Sequence, residues 1–311
     1  MKRNAFAIGV ASYEYINILL SYYPKNLDEN FDIFIFVDTR RIPISKLESL
    51  VKSFNIPVWN NATYIDNQEL YEDVIEDYSF KGKATDILIN HGCIFKILPP
   101  IYLPARYDYE RVLTSDDDVF IFDDISPIFN TYKEFAFKKE TLFTFKTSKK
   151  HKLLKGFNEI FGTDFSLERI NGLPLNAGNI LSIWDDKLPD YFYKFMTSDT
   201  VHHMYYDYKG YTPWTIEQRF QHFNMHRLMN DGKNVEFFTA EDLRLLLTVG
   251  KKHPEKHLAN KVPKLLHYAI GKKKPQFLRE FLPRLTWKYG FDYEPKYELK
   301  GKIFQNENKL F

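Results

Sequence analysis

Arg111-Val-Leu-Thr-Ser-Asp-Asp-Asp-Val-Phe-Ile-Phe-Asp-Asp124 decides how the rest of the chain is read. Val112 and Leu113 open an apolar strand, Asp116, Asp117 and Asp118 interrupt it, and Val119 to Phe122 resume it. Adjacent carboxylates raise one another's pKa, and partial burial raises them further, so such a cluster ionises only beside a cation or basic groups. In an extended segment alternate side chains share a face, which pairs Asp116 with Asp118 and sends Asp117 to the other side. Two carboxylates on one face form a clamp of hard oxygen donors suited to Mg or Mn. A solvated acidic turn between two strands is the plain alternative.

Upstream of this stretch, strands and helices alternate. Ala5–Val10 reads as a first strand, Ile16–Tyr23 as a helix ending at Pro24, and Asp32–Asp38 as a near-continuous apolar strand of the kind buried on both faces of a parallel sheet. Ile44–Phe54 has helical spacing with Ser45 as a possible cap, and Pro57-Val-Trp59 reads as a third strand. That order is the α/β pattern of a nucleotide-binding sheet. Asn67–Tyr78 and Thr85–Leu98 read as helices, the second broken by Pro99 and Pro100. Beyond the acids come a strand candidate at Thr141–Phe145, a polar, Lys-rich stretch of surface elements over Lys146–Asn171, a strand at Leu175–Ile183, a helix at Thr215–Leu228 and a last strand at Lys264–Tyr268.

At 311 residues the chain is long enough for a sizeable core. Its net charge of +2 is unevenly spread, because Lys251 to Lys302 holds fourteen Lys or Arg against five Asp or Glu. A basic end predicts an anionic partner. The single Cys93 excludes an intramolecular disulfide and an all-cysteine zinc site, which fits a reducing compartment. No secretory h-region follows Met1, and no run of about 18 apolar residues occurs, which predicts a cytoplasmic protein. The tail interleaves Phe277, Phe281, Trp287, Tyr289, Phe291 and Tyr293 with Arg279, Arg284 and Lys288, a composition suited to peripheral contact with an anionic membrane. Nucleic acid would take the same composition, but no RNA-binding motif accompanies it.

Five segments together resemble glycosyltransferase family 8, nucleotide-sugar-dependent enzymes of the GT-A type that include glycogenin-like and lipopolysaccharide galactosyltransferases. Leu-Thr-Ser-Asp-Asp-Asp-Val at 113–119 resembles the family's Asp-x-Asp segment, and Phe95-Lys-Ile-Leu-Pro-Pro-Ile-Tyr-Leu-Pro104 its basic-residue helix. Leu175-Asn-Ala-Gly178 resembles its Phe-Asn-x-Gly, Glu217-Gln218 its Asp-Gln, and His267-Tyr-Ala-Ile-Gly-Lys-Lys-Lys-Pro275 its His-Phe-x-Gly-x-x-Lys-Pro. The order is the family's. The departures are one extra residue between His267 and Gly271, Glu at 217, and Thr-Ser before the acids.

The resemblance implies a Rossmann-like, mainly parallel GT-A sheet flanked by helices over residues 1–275, followed by a basic aromatic extension at 276–311. It implies a UDP-sugar donor, Mn or Mg as cofactor, a glycan or glycolipid acceptor, and transfer with retention. It implies metal ligation by Asp116, Asp118 and His267. It places Ala11, Tyr15, Lys96, Asp117, Gly178, Gly271 and Lys274 around the donor, with Tyr15 stacking on uracil and Asp117 meeting ribose or sugar hydroxyls. Asn176 then bonds donor sugar or acceptor, Glu217 grips sugar hydroxyls, and Gln218 stabilises the cationic transition state. A phosphohydrolase built on the same acids wants its motif close to the first strand, whereas these acids lie over a hundred residues in. A non-catalytic nucleotide-sugar or glycan-binding module remains open.

Overall fold

A computed structural model describes residues 3–24, 27, 30–67, 97–139, 150–173, 175–198, 213–247 and 263–269, with backbone alone at 150–153, 175–177, 213–216, 245–247 and 268–269. The centre is a seven-stranded sheet in the order β3-β2-β1-β4-β7-β6-β8. Its strands are β1 (Asn4–Val10), β2 (Asp32–Val37), β3 (Thr63–Asp66), β4 (Arg111–Asp116), β6 (Phe135–Lys139), β7 (Leu175–Ile183) and β8 (Val235–Phe237). β3, β2, β1 and β4 run parallel, and β7 lies antiparallel between β4 and β6. A three-stranded sheet sits beside it in the order β5-β10-β9, from Val119–Ile121, Leu265–Ala269 and Leu243–Leu247.

Alternation along the parallel strands builds a layer on each face. Phe6, Ile8 and Val10 of β1 and Ile33, Ile35 and Val37 of β2 join one apolar cluster, while Ala5, Ala7, Phe34 and Phe36 join the other. Small Ala5 and Ala7 leave room beside bulky Phe34 and Phe36, and with both faces covered β2 is apolar throughout Ile33 to Val37 after the exposed Asp32. The first layer holds α1 (Tyr13–Ser21), α2 (Ile44–Ser53), α3 (Pro57–Asn60) and α5 (Ser126–Thr131). The second holds α4 (Pro99–Tyr107), α6 (Lys150–Phe161), α7 (Leu167–Gly172), α8 (Leu188–Thr197) and α9 (Pro213–Asn230). Val119 to Phe122, Leu265 and Leu266 belong to the first cluster, so the small sheet shares its core with the large one.

Several sequence expectations are corrected. Pro57-Val-Trp59 is a helical turn with proline at its start, and it drops Trp59 fully into the core against Tyr23 and Phe6 at ring separations of 5.7 and 6.4 Å. The third strand is the short, half-polar Thr63–Asp66. Ser45 lies inside α2, whose cap position is Pro43. Pro99 and Pro100 open a helix, because proline at a first turn removes an amide that has no partner anyway. The 146–171 stretch contains α6 and α7, and Phe157, Phe161, Phe165 and Ile170 are buried there. Polar residues on one face hid the aromatics on the other, and Phe157 stacks on Phe223 at 4.6 Å. Strands β6, β8 and β9 were not anticipated, and the expected strand at 141–145 lies outside the described residues.

α9 is buried nearly all round although its sequence is polar. Glu217, Gln218, Arg219, Gln221, His222, Asn224, His226 and Arg227 are each at most 6 % exposed, so polar partners must replace water along the helix. The Arg227 guanidinium bridges the Asp185 carboxylate with both groups almost fully buried. Leu173 O lies 2.8 Å from His222 Nε2. Burial, then His226 and Arg219, push the His222 pKa down to about 3, and burial followed by Arg169 pushes His226 down to about 4.

Both imidazoles are therefore neutral in the fold and take up protons on unfolding below pH about 6.5. The folded state forgoes those protons until the pH nears 3 to 4, so stability falls as pH drops through that window. Each histidine costs up to about 1.4 kcal/mol per pH unit there. Thermal melts from pH 7 to 4.5 are expected to show a steep loss of Tm that is shallower in His222→Gln. Parallel curves would remove the histidine pair from the acid response.

Candidate metal centre and donor crevice

The acids do not lie on one continuous strand. β4 ends at Asp116, Asp117 and Asp118 form a turn, and the chain leaves for the second sheet as β5. β5 pairs antiparallel with β10 so that Val119 faces His267. The pairing brings the imidazole beside the residue preceding Val119. His267 Nε2 lies 3.3 Å from Asp118 Oδ1 and 3.7 Å from Asp116 Oδ2, and one donor atom from each of the three residues fits within a 4.8 Å span.

Neighbouring ligands of an octahedral ion bound at about 2.1 Å sit roughly 3 Å apart, so the three donors need little movement to share one ion. His267 and Asp118 are buried, while the Asp116 side chain is 24 % exposed and marks the open side. Two carboxylates and an imidazole suit Mn better than Mg. These residues fit the cation implied by the resemblance.

Interlocking hydrogen bonds hold β10 in place. Lys264 Nζ donates to Asp242 Oδ1 at 2.5 Å, and Tyr132 and Thr239 donate to Asp242 Oδ2 at 2.7 and 2.8 Å. Burial alone would raise the Asp242 pKa, but Lys264, Tyr132 and Thr239 overcome it and hold the carboxyl below its ordinary value. The Phe122 amide donates to Lys264 O at 2.9 Å, closing the tie between β5 and the start of β10.

Asp117 turns to the other side, where its Oδ2 accepts the amides of Ala11 and Ser12 at 2.9 Å each. Ser12 occupies the N-cap position of α1 without a side-chain capping bond, so the Asp117 carboxylate serves the positive end of that helix and fixes the loop after β1. The Ala11 amide is thereby used within the protein. Tyr15, in the first turn of α1, is half-buried, and burial followed by the Asp117 charge raises its pKa. Ala11, Asp38, Asp66 and Asp116 all stand at the carboxyl ends of parallel strands, the rim where open α/β sheets receive ligands. There Arg40 forks onto Asp38 with two bonds of 2.8 Å, and Thr39 donates to Asp66 at 2.6 Å.

On β7 the backbone of Asn179 pairs with Ser115, and Asn179 Nδ2 donates to Ser115 Oγ at 3.0 Å. Gly178 is buried and lies one residue further toward the level of Asp116. The register against β6 breaks there: Ile180 opposes Phe137, whereas Asn176 opposes Lys138. A bulge beside a site re-aims the strand. The Asn176 side chain lies outside the described residues.

Asn179 was missed in the sequence, although it follows the Asn-Ala-Gly segment directly. Glu217 and Gln218 are placed in the second turn of α9, one turn deeper than expected, and that helix packs on β7. Lys96, Gly271, Lys274 and the 276–311 extension fall outside the described residues. Among the described residues no helix is long and apolar enough to cross a membrane.

No family model and no curated protein matches the sequence. Among solved structures, the chain is similar to mouse xyloside xylosyltransferase 1 in its apo form, with a TM-score of 0.50 and 12 % identity over 86 % of this chain and 97 % of that one. It is also similar to the galactosyltransferase LgtC in complex with donor and acceptor sugar analogues, with a TM-score of 0.49 and 15 % identity over 93 % and 95 % of the two chains. At such identities the fold is what is shared, and it is the GT-A fold.

Proposed function

We propose that the protein is a metal-dependent glycosyltransferase that moves a sugar from a UDP-sugar to a glycan or glycolipid acceptor with retention of configuration. The observation that carries this reading is the convergence of Asp116, Asp118 and His267 within 4.8 Å beside the carboxyl ends of the parallel strands. Asp116, Asp118 and His267 would hold a divalent ion, Mn or Mg. Such an ion, when bound, neutralises charge developing on the departing diphosphate.

The protein's own groups do the rest. Asp117 holds the loop at Ala11 and Ser12 rigid, so the crevice that receives the nucleotide is formed before binding, with Tyr15 beside it for the base. Lys96 and the Lys272–Lys274 run supply positive charge toward the diphosphate, with Gly271 in the sequence before it to permit close backbone approach. Gly178 keeps the β7 backbone close to the donor sugar, which Asn176 and Glu217 bind through its hydroxyls. Gln218 presents its amide oxygen to the anomeric carbon as positive charge grows there. The basic aromatic segment 276–311 suits an acceptor at an anionic membrane surface.

Isothermal titration with UDP is expected to show binding in Mn and loss of at least about tenfold in affinity with chelator present, because the ion that Asp116, Asp118 and His267 would hold supplies charge compensation for the diphosphate. Slow Mn-dependent hydrolysis of a UDP-sugar without acceptor should accompany it, which separates an enzyme from a binding module. Failure of UDP to bind intact protein in Mn would count decisively against the proposal.

A further inference from the structure

At the opposite end of the sheet lies a cleft of about 770 Å³, formed where β1 and β4 begin and β7 ends. Arg3, Asp108, Tyr109, Glu110, Ile183 and Trp184 line it together with the end of α4. Arg111, at the start of β4, pairs with Ile183, and five residue steps along β4 separate that level from Asp116, roughly 17 Å. One ligand cannot fill this cleft while its reacting end sits at the metal centre unless it is a long chain.

Among the described residues the exposed large apolar side chains are Trp184, 42 % exposed, and Tyr107, 37 % exposed, and both stand at this end. An indole left in water at a cleft edge, beside carboxylates, is a recognisable chemistry.

The frame is stiff. Arg3 lies over the Tyr109 ring at 4.4 Å and bonds its hydroxyl at 2.7 Å, that hydroxyl donates to Asp32 at 2.5 Å, and the Glu110 amide donates to Arg3 O at 3.0 Å. Trp184 is held between Ile183, whose amide bonds Glu134 O at 3.1 Å, and Asp185, locked to Arg227. The backbone that carries Trp184 is thus fixed on both sides, so only the indole's own rotamer has to be ordered on binding.

We propose that this cleft is a second carbohydrate site, in which Trp184 stacks on the C–H face of a neutral pyranose and Asp108 and Glu110 accept hydrogen bonds from its hydroxyls. An indole offers a flat apolar face of sugar-ring size, and carboxylates are acceptors only, matching a ligand rich in hydroxyl donors. The volume lies within the 300–1,000 Å³ range of small-ligand sites and holds one to two sugar rings. Arg3 pairs with Asp32 at 3.1 Å and also feels the Asp108 charge, and the charged groups of the lining itself, Arg3, Asp108 and Glu110, are one positive and two negative, which favours a neutral ligand over phosphates, nucleotides and uronates. The site goes beyond the donor crevice and holds a glycan away from the reacting end.

The test is titration, followed by saturation-transfer NMR, of the full chain with cellobiose, lactose and xylobiose, and with a glucuronate-containing disaccharide as the anionic probe. At least one neutral disaccharide is expected to bind, Trp184→Ala to weaken it about tenfold, and Trp184→Phe to weaken it less. The uronate should not bind, and UDP binding in Mn should be unchanged in both variants. Failure of all three neutral disaccharides to bind overturns the site, as does undiminished binding by Trp184→Ala. A dimer that Trp184→Ala converts to monomer without altering sugar binding overturns it in favour of a protein interface. The UDP titration on the same samples reports separately on the donor crevice, so either assignment can fail while the other stands.

Discussion

Asp118→Asn will lose transfer activity by about a thousandfold or more while its metal-free fold melts at the wild-type temperature or slightly above it. The two effects have opposite origins. Without an ion, Asp118 is a largely buried acid repelled by Asp116 and attracted by His267 Nε2 at 3.3 Å, so removing its charge changes the stability of the fold little. With an ion, the amide is a weaker donor, and the position of the diphosphate is lost along with its charge compensation. Mn is expected to raise the Tm of the wild type, as any ligand of the folded state alone does, and to leave the Tm of Asp118→Asn unchanged. Normal turnover in Asp118→Asn would remove the carboxylates from the chemistry.

Arg227→Met is expected to be the most damaging single change to the fold, costing about 3–5 kcal/mol and lowering Tm by about 10 °C. It leaves the Asp185 carboxylate buried with only the Lys187 amide at 3.3 Å to receive its charge. The double variant Asp185→Leu/Arg227→Met should recover most of the loss, because an apolar pair of similar volume carries no desolvation penalty. If the double variant melts no higher than Arg227→Met, the ion pair is not what fixes α9 against the end of β7. Differential scanning calorimetry on the wild type and the two variants provides the comparison.

The parallel half of the sheet was legible because its strands obey local rules. β2 is apolar from Ile33 to Val37 since both faces are covered there, and β1 carries the matching pattern. The metal cluster was legible only in part. Alternation along an extended segment paired Asp116 with Asp118 and excluded Asp117, and that outcome survives, but the chain achieves it with a turn between two sheets. Nothing local to His267 announces its position, which follows from antiparallel pairing of β10 with β5 across the length of the molecule.

Polar segments were the least readable. The sequence shows α9 as a helix but not its burial, because its glutamines, histidines and arginines are polar and are buried against partners such as Asp185 and Leu173 that lie far away in sequence. Pro57-Val-Trp59 has strand-like residues, yet the need to bury Trp59 beneath α1 and α2 takes precedence over local preference. Asn179 escaped notice because its role depends on Ser115, a neighbour only across the sheet.

The pairing of β5 with β10 also dictates when the site comes into being. During synthesis the carboxylates leave the ribosome roughly 150 residues ahead of their imidazole, and β5 must wait that long for the strand that covers it. A nascent chain stalled before Leu265 would carry the acids without the cluster and expose an unpaired strand edge, so the three donors come together only after β10 has been made and docked.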